Sequence, residues 1–204
     1  MSDKEINFFN QLAERWDDIR SADYDKIAML VDMIGIHEGD RILDVGSGTG
    51  ILLPFLKQAA GEAGQITAID FAANMLALAA AKHRRLSGIS YTTGDILSFA
   101  PQQAFDKIVC LNFFPHINDK PAFLTKMKTL LKQGGALIIM HDLSRHAVND
   151  VHKTSDVVTN DRLPASEKVS EMLQMAGYSV QLAIDNDDYY FIKGNRYNLA
   201  SVIK

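Results

Sequence analysis

Between Arg41 and His141 the chain alternates short apolar runs with helical patterns, and that alternation constrains its fold more than any other feature. Arg41–Val45 (RILDV) is β-branched and ends in a cluster of glycines, after which 51–60 reads as a helix closed by Gly61. Gln65–Asp70 (QITAID) is a second strand, followed by a helix over 72–85 rich in Ala, Leu and Met. Residues 90–95 form a third strand, weakened by its threonines, and 105–112 (FDKIVCLN) a fourth. The helix over 120–132 is stopped by Gly134 and Gly135 acting as a C-cap. Residues 136–141 (ALIIMH) are apolar nearly throughout, as a strand covered on both faces must be. Strands alternating with helices of this length make βαβ units and a parallel sheet, and right-handed crossovers place helices on both faces.

The pattern changes after residue 142. A polar helix begins near Ser144, a polar loop covers 154–164, and another helix covers 165–176. Two β-like stretches, Tyr178–Asp185 and 189–196, flank the turn-forming Asn186, Asp187 and Asp188. The expected fold is therefore α/β: a doubly wound, mostly parallel seven-stranded sheet with a C-terminal antiparallel hairpin. Residues 1–40 look helical, with Phe8, Phe9, Leu12 and Trp16 at helical spacing.

At 204 residues the chain suits one domain. A 47% hydrophobic and 23% charged composition excludes a disordered class. The net charge of −4 argues against a surface devoted to nucleic acid or anionic lipid. Cys110, the only cysteine, cannot close an internal disulfide and suits a reduced compartment. No apolar run approaches the roughly 18 residues of a membrane span, and the charged start Met1–Glu5 lacks the apolar region of a signal peptide. The expected location is the cytoplasm.

The residues richest in function are Asp44-Val45-Gly46-Ser47-Gly48-Thr49-Gly50, between the first strand and its helix. Glycines there permit a tight turn and let a ligand approach the backbone, and the next helix offers its first amides to polar ligand groups. Asp70 ends the second strand about 20 residues on, where a carboxylate can accept from ribose hydroxyls. Asp95 ends the third. Carboxylates at three successive strand ends converge outside the carboxyl edge of the sheet. A dinucleotide fingerprint would need glycine where Ile51 stands, and a P-loop would need Gly-Lys-Ser/Thr; neither is present. An adenosine ligand without phosphates fits better.

RILDVGSGTGIL resembles the first motif of the class I S-adenosylmethionine-dependent methyltransferases. ITAIDFAANML is similar to that family's acidic second motif, TGDI to its third and FDKIVCLNFF to its fourth, while LLKQGGALII resembles the approach to its fifth strand. NFFNQLAERWD resembles the N-terminal helix of the ubiquinone/menaquinone-methyltransferase-like branch, so the likeness runs over about residues 5–142. It implies a single methyltransferase domain: a helical cover over 1–40, a cofactor-binding core over 41–142, and substrate-side helices with the hairpin over 143–204. It also implies S-adenosylmethionine as cofactor and S-adenosylhomocysteine as product. Gly46, Ser47 and Gly48 would run along the methionine part, with Asp44 near its amino group and Asn112 close by. Gly50 would allow close helix packing. Asp70 would hold the ribose, Phe71 and Met75 would flank the adenine, and Asp95 would accept from the adenine amino group beside the Ile96 backbone. Ala72 departs from the polar residue often found there.

Methyl transfer is an in-line displacement that needs an aligned nucleophile, exclusion of water and sometimes a base. His116 follows the fourth strand and His141 ends the fifth, and either could be a general base because histidine titrates near neutral pH. A metal held by His116, His141 and His152 is a second reading, although no tight ligand spacing supports it. Histidines without chemistry are the third. Arg145, Asn149 and His152 share a helical face; Trp16, Phe113, Arg145 and His152 are the expected substrate residues. Asn112-Phe113-Phe114-Pro115 does not match the Asn/Asp-Pro-Pro-Tyr/Phe motif of nucleic-acid amino methyltransferases. The expected partner is a small-molecule methyl acceptor, not nucleic acid, with the chain a monomer or homodimer. Two rivals stand beside this reading: a non-catalytic module that binds the cofactor, and an NAD-dependent oxidoreductase, which Ile51 and the missing Tyr-x-x-x-Lys disfavour.

Overall fold

The computed structural model describes residues 3–154 and 156–197, so the ends of the expected 1–204 domain and residue 155 of the polar loop lie outside the described residues. Seven strands form one sheet: β1 (Arg41–Val45), β2 (Gln65–Asp70), β3 (Ile89–Thr93), β4 (Phe105–Leu111), β5 (Leu131–His141), β6 (Tyr178–Asp185) and β7 (Tyr190–Arg196). Their order is β3-β2-β1-β4-β5-β7-β6, parallel through β5 and antiparallel beyond it. β1 and β4 are neighbours, so the strand order reverses between their carboxyl ends. In open α/β sheets that reversal opens a crevice where ligands bind.

Apolar residues on alternate sides of the strands make two cores. Ile108, Cys110 and Ile139 face one layer, which α6 (Lys120–Leu130) and α8 (Ser166–Met175) cover through Phe123, Met127, Val169 and Leu173. Val109, Ile138 and Met140 face the other, covered by α3 (Tyr24–Ile34), α4 (Leu53–Ala60) and α5 (Ala73–Lys82). A third cluster joins α1 (Asp3–Leu12) to the start of α5 through Phe9, Ala13, Ala72 and Met75, with Val158 of the polar loop. α2 (Trp16–Arg20) follows α1 after one 3-10 turn, and α7 (Arg145–Lys153) follows β5. Among the described residues no helix is long and apolar enough to cross a membrane.

Most boundaries move by one to three residues, and two of the differences bear on the site and the sheet. The third strand ends at Thr93, which leaves Asp95 beyond the sheet. The sixth helix ends at Leu130, and Gly134 and Gly135 lie inside β5 instead of capping a helix. Leu131 already pairs with Phe105, and the ladder resumes at Ala136 with Lys107 across a bulge. Gly134, at φ +75°, supplies the left-handed residue of that bulge. A Cβ on Gly135 would stand 3.0 Å from the carbonyl oxygens of Asp106 and Lys132 and 3.1 Å from that of Phe105. Backbone cannot yield cheaply, so Gly135→Ala is expected to destabilise the fold by about 1–3 kcal/mol. A thermal melt unchanged from the parent would contradict this packing.

Candidate active site

The loop after β1 is tied to the end of β2. The amides of Gly46 and Ser47 donate to the Ile69 carbonyl at 2.9 and 3.2 Å. The Gly48 amide donates to Asp70 Oδ2 at 2.9 Å, and the Ala72 amide to Asp70 Oδ1 at 2.8 Å. Both carboxylate oxygens of Asp70 therefore accept amides, with the Phe71 amide a further donor, and the carboxylate keeps acceptor capacity for one more. The three glycines serve different ends. At Gly50 a Cβ would press on Leu53, Ala79 and His83, so this glycine lets α4 and α5 pack closely. At Gly46 it would collide with the Phe113 ring. At Gly48, with φ +54°, nothing lies within 4 Å.

The open space above Gly48 belongs to a cavity of about 370 Å³ at the carboxyl ends of β1, β2, β4 and β5. Asp44, Ser47, Asp70, Phe71, Met75 and Asn112 all line it. Trp16, Phe113, His116, His141 and His152 line it as well. A second cavity of about 300 Å³ takes in Asp95 and Ile96 and shares Gly46, Phe71, Phe113 and His116 with the first. The expected cofactor residues thus divide between two adjoining spaces. Asp95 is exposed, and its Oδ1 accepts from the Leu97 amide at 3.0 Å. Phe9 meets Phe71, Trp16 and His116 edge to face, with ring centroids 5.5–5.7 Å apart. The N-terminal aromatics therefore serve as core and as cavity wall together. Asp17 of α2 secures this cover: its carboxylate accepts from Thr49 Oγ1 and pairs with Lys82, both at 2.5 Å.

Several buried polar groups in the cavity wall lack partners. Asp44 Oδ2, Asn112 Oδ1 and both ring nitrogens of His141 are buried with no hydrogen bond. Burial pushes the Asp44 carboxyl up to about 7, against the nearby Ser47 hydroxyl and reinforced by the negative charge of Asp70. Burial likewise raises Asp70 above the usual carboxylate range, against the amides of Ala72 and Gly48. Asn112 sits at φ +53° just past β4, and its amide donates to Asp142 Oδ1 at 2.7 Å. Arg20 of α2 donates to Asp142 Oδ2 at 2.9 Å. Burial alone would raise Asp142, but the Arg20 guanidinium and the Asn112 amide outweigh it and hold the carboxyl below its ordinary value.

The histidines part company. His141 is 1% exposed, and burial drives it down to about 3. That direction favours the neutral ring at neutral pH. His116, on a 3-10 turn after β4, has Nδ1 2.6 Å from Asp161 Oδ2. His152 on α7 donates from Nδ1 to the Asp161 carbonyl at 2.8 Å. Arg145 departs from expectation: its Nε binds Asp185 Oδ2 at 2.6 Å, tying α7 to β6, and it does not line the cavity. Asn149, on the same helix, exchanges hydrogen bonds with the Leu163 backbone. Sequence reasoning missed Arg20, on the polar side of an N-terminal helix, and Asp161, a single acid in the polar loop.

Residues 36–194 match the model of a family described as "Methyltransferase domain". The chain is 29% identical over 188 residues to a ubiquinone/menaquinone biosynthesis C-methyltransferase of Psychromonas ingrahamii, covering 85% of this chain and 74% of the relative. A protein of the same description from Haemophilus ducreyi is 26% identical, over 97% of this chain and 83% of its own length. Among solved structures, a SAM-dependent methyltransferase from Aquifex aeolicus superposes with a TM-score of 0.72 at 20% identity, covering 94% of this chain and 98% of that one. The N-methyltransferase NodS from Bradyrhizobium japonicum, in complex with S-adenosyl-L-homocysteine, reaches 0.66 at 18% identity, over 86% of each chain.

Proposed function

This chain belongs to the class I S-adenosylmethionine-dependent methyltransferases, and we propose that it transfers the methyl group to a small-molecule acceptor held in the larger cavity. The observation that carries this reading is the set of buried, unpartnered polar atoms on Asp44 and Asn112 beside the open space over Gly48. A buried carboxylate with an unpartnered oxygen is costly, and an ammonium group is the ligand chemistry that would relieve it. When bound, S-adenosylmethionine supplies a methyl group on a positively charged sulfur, ready for in-line displacement.

In this reading Gly46, Ser47 and Gly48 present their backbone to the methionine part, Asp44 accepts from its ammonium, and Asn112 Oδ1 offers a second acceptor. The remaining acceptor capacity of Asp70 takes a ribose hydroxyl. Phe71 and Met75 flank the base, and Asp95 and Ile96 receive it in the smaller cavity. Trp16, Phe113 and His152 wall the acceptor's place and keep water out, with His116 as the base. The chain acts as one domain in the cytoplasm, as a monomer or homodimer, on an acceptor that is not nucleic acid; the net charge of −4 and the lone buried cysteine support this.

Parallel calorimetric titration with S-adenosylmethionine, S-adenosylhomocysteine and NAD tests the reading. Binding of the first two and not the third is expected; NAD binding alone would return the oxidoreductase. Asp70→Ala is expected to weaken S-adenosylhomocysteine by about 1–3 kcal/mol, the cost of losing a charged hydrogen-bond partner. Parental affinity in that variant would place the ribose elsewhere.

A further inference from the structure

Asp161 holds two of the histidines that line the larger cavity, His116 and His152. Its carboxylate faces His116 Nδ1 at 2.6 Å, its carbonyl accepts from His152 Nδ1 at 2.8 Å, and its amide donates to the Val158 carbonyl at 2.9 Å. The segment that carries it is anchored on either side. Val158 is buried against Phe9, Ala13 and Met75, and Leu163 exchanges two hydrogen bonds with Asn149. Lys120 fixes the turn beneath His116 by donating to the carbonyls of Pro115 and Ile117.

A carboxylate can only accept, so His116 Nδ1 must carry the hydrogen, and in the neutral ring the lone pair is then on Nε2. Among the described residues Nε2 has no partner, and His116 borders both cavities. A histidine oriented in this way by a carboxylate is the arrangement that prepares a base and steadies the imidazolium it becomes.

We propose that Asp161 is the positioning residue that fixes His116 as general base, and that the site accordingly takes acceptors that surrender a proton on methylation: a phenol, an enol, or a carbon acid between two carbonyls. The inference rests on the methyltransferase reading and names its substrate class. The acceptor's proton passes to His116 Nε2. The electron pair left on oxygen or carbon forms the bond to the methyl carbon while the carbon–sulfur bond breaks and its pair returns to sulfur. The sulfur loses its positive charge, and the imidazolium releases its proton to water, so the overall reaction liberates one proton. A neutral amine has a free pair without prior deprotonation and gains nothing from such a base in the displacement.

The test uses the full chain with ¹⁵N-labelled histidine, saturated with S-adenosylhomocysteine, and reads ring tautomers by long-range ¹H–¹⁵N NMR. His116 is expected as the Nδ1–H form, moving towards Nε2–H in Asp161→Ala. Methyl-labelled S-adenosylmethionine is then offered with simple phenols and 1,3-dicarbonyls, and separately with aromatic amines, which are already neutral at neutral pH. Transfer to the proton-bearing acceptors is expected. His116→Ala should lower kcat about a hundredfold, with partial recovery on adding imidazole, a response a purely structural histidine would not give. Asp161→Ala should lower kcat about tenfold with KM for S-adenosylmethionine unchanged. The proposal is overturned by an Nε2–H tautomer in the parent, by full activity in His116→Ala, or by no transfer to any proton-bearing acceptor. Failure of S-adenosylhomocysteine to bind would instead overturn the underlying methyltransferase reading, and calorimetry detects that independently of the tautomer.

Discussion

A Gly48→Val chain is expected to fold and to lose S-adenosylmethionine and S-adenosylhomocysteine binding entirely. A Cβ at this position meets nothing of the protein within 4 Å, so the side chain points into the open space that the cofactor's methionine part is proposed to fill. The Gly48 amide can still donate to Asp70, which keeps the loop closed on β2. The cost to the fold is conformational: a β-branched residue at φ +54° is strained by roughly 1–2 kcal/mol. Gly48→Ala should show an intermediate loss of affinity with a smaller strain. Gly50→Val offers the contrast, since its side chain would meet Leu53, Ala79 and His83 and should lower the melting temperature sharply. Calorimetry and thermal melts on the three variants separate the two roles. Parental affinity in a folded Gly48→Val chain would remove the cofactor from this loop.

The same loop explains why so much was legible in the sequence. Apolar runs such as 136–141, short and flanked by glycine, have the length of strands covered on both faces, and a glycine cluster after the first strand is a local pattern, so sheet and crevice follow from short windows. The failures are all non-local. Gly134 and Gly135 read as a helix stop, but the pairing of Leu131 with Phe105, residues distant in sequence, begins the strand earlier and turns the glycines into a bulge. Arg145 does lie on a helix at the expected spacing, yet Asp185 on β6 captures it. Asp161 is one acid in a polar loop, and nothing in its neighbours marks it; only the folded chain brings it to His116, 45 residues away in sequence. The difference between His116 and His141 was equally hidden, because the residue types are identical and only burial and partners, Asp161 for His116 and none for His141, set them apart.

Asp44→Asn is expected to stabilise the ligand-free protein and to weaken the cofactor, two effects of opposite sign from one buried carboxyl. Asp44 is 1% exposed, and its carboxyl is pushed from 3.8 up to about 7. Between those values the unfolded chain has lost this proton and the folded chain keeps it, so stability falls as pH rises from about 4 to about 7 and this contribution is flat above. A shift of that size corresponds to at most about 4 kcal/mol at pH 8. The asparagine has no charge to desolvate, so the variant should melt higher than the parent at pH 8 and match it more closely near pH 5. Binding reverses the order. An ammonium beside Asp44 favours the ionised form, so parental affinity for S-adenosylhomocysteine should rise from pH 6 to 8, with proton release in calorimetry that varies with buffer. Asp44→Asn should bind about 10- to 100-fold more weakly at pH 8, the scale of a lost charge-assisted hydrogen bond, and its affinity should no longer rise over that interval. A variant both less stable and unchanged in affinity would mean that Asp44 serves the fold and not the cofactor.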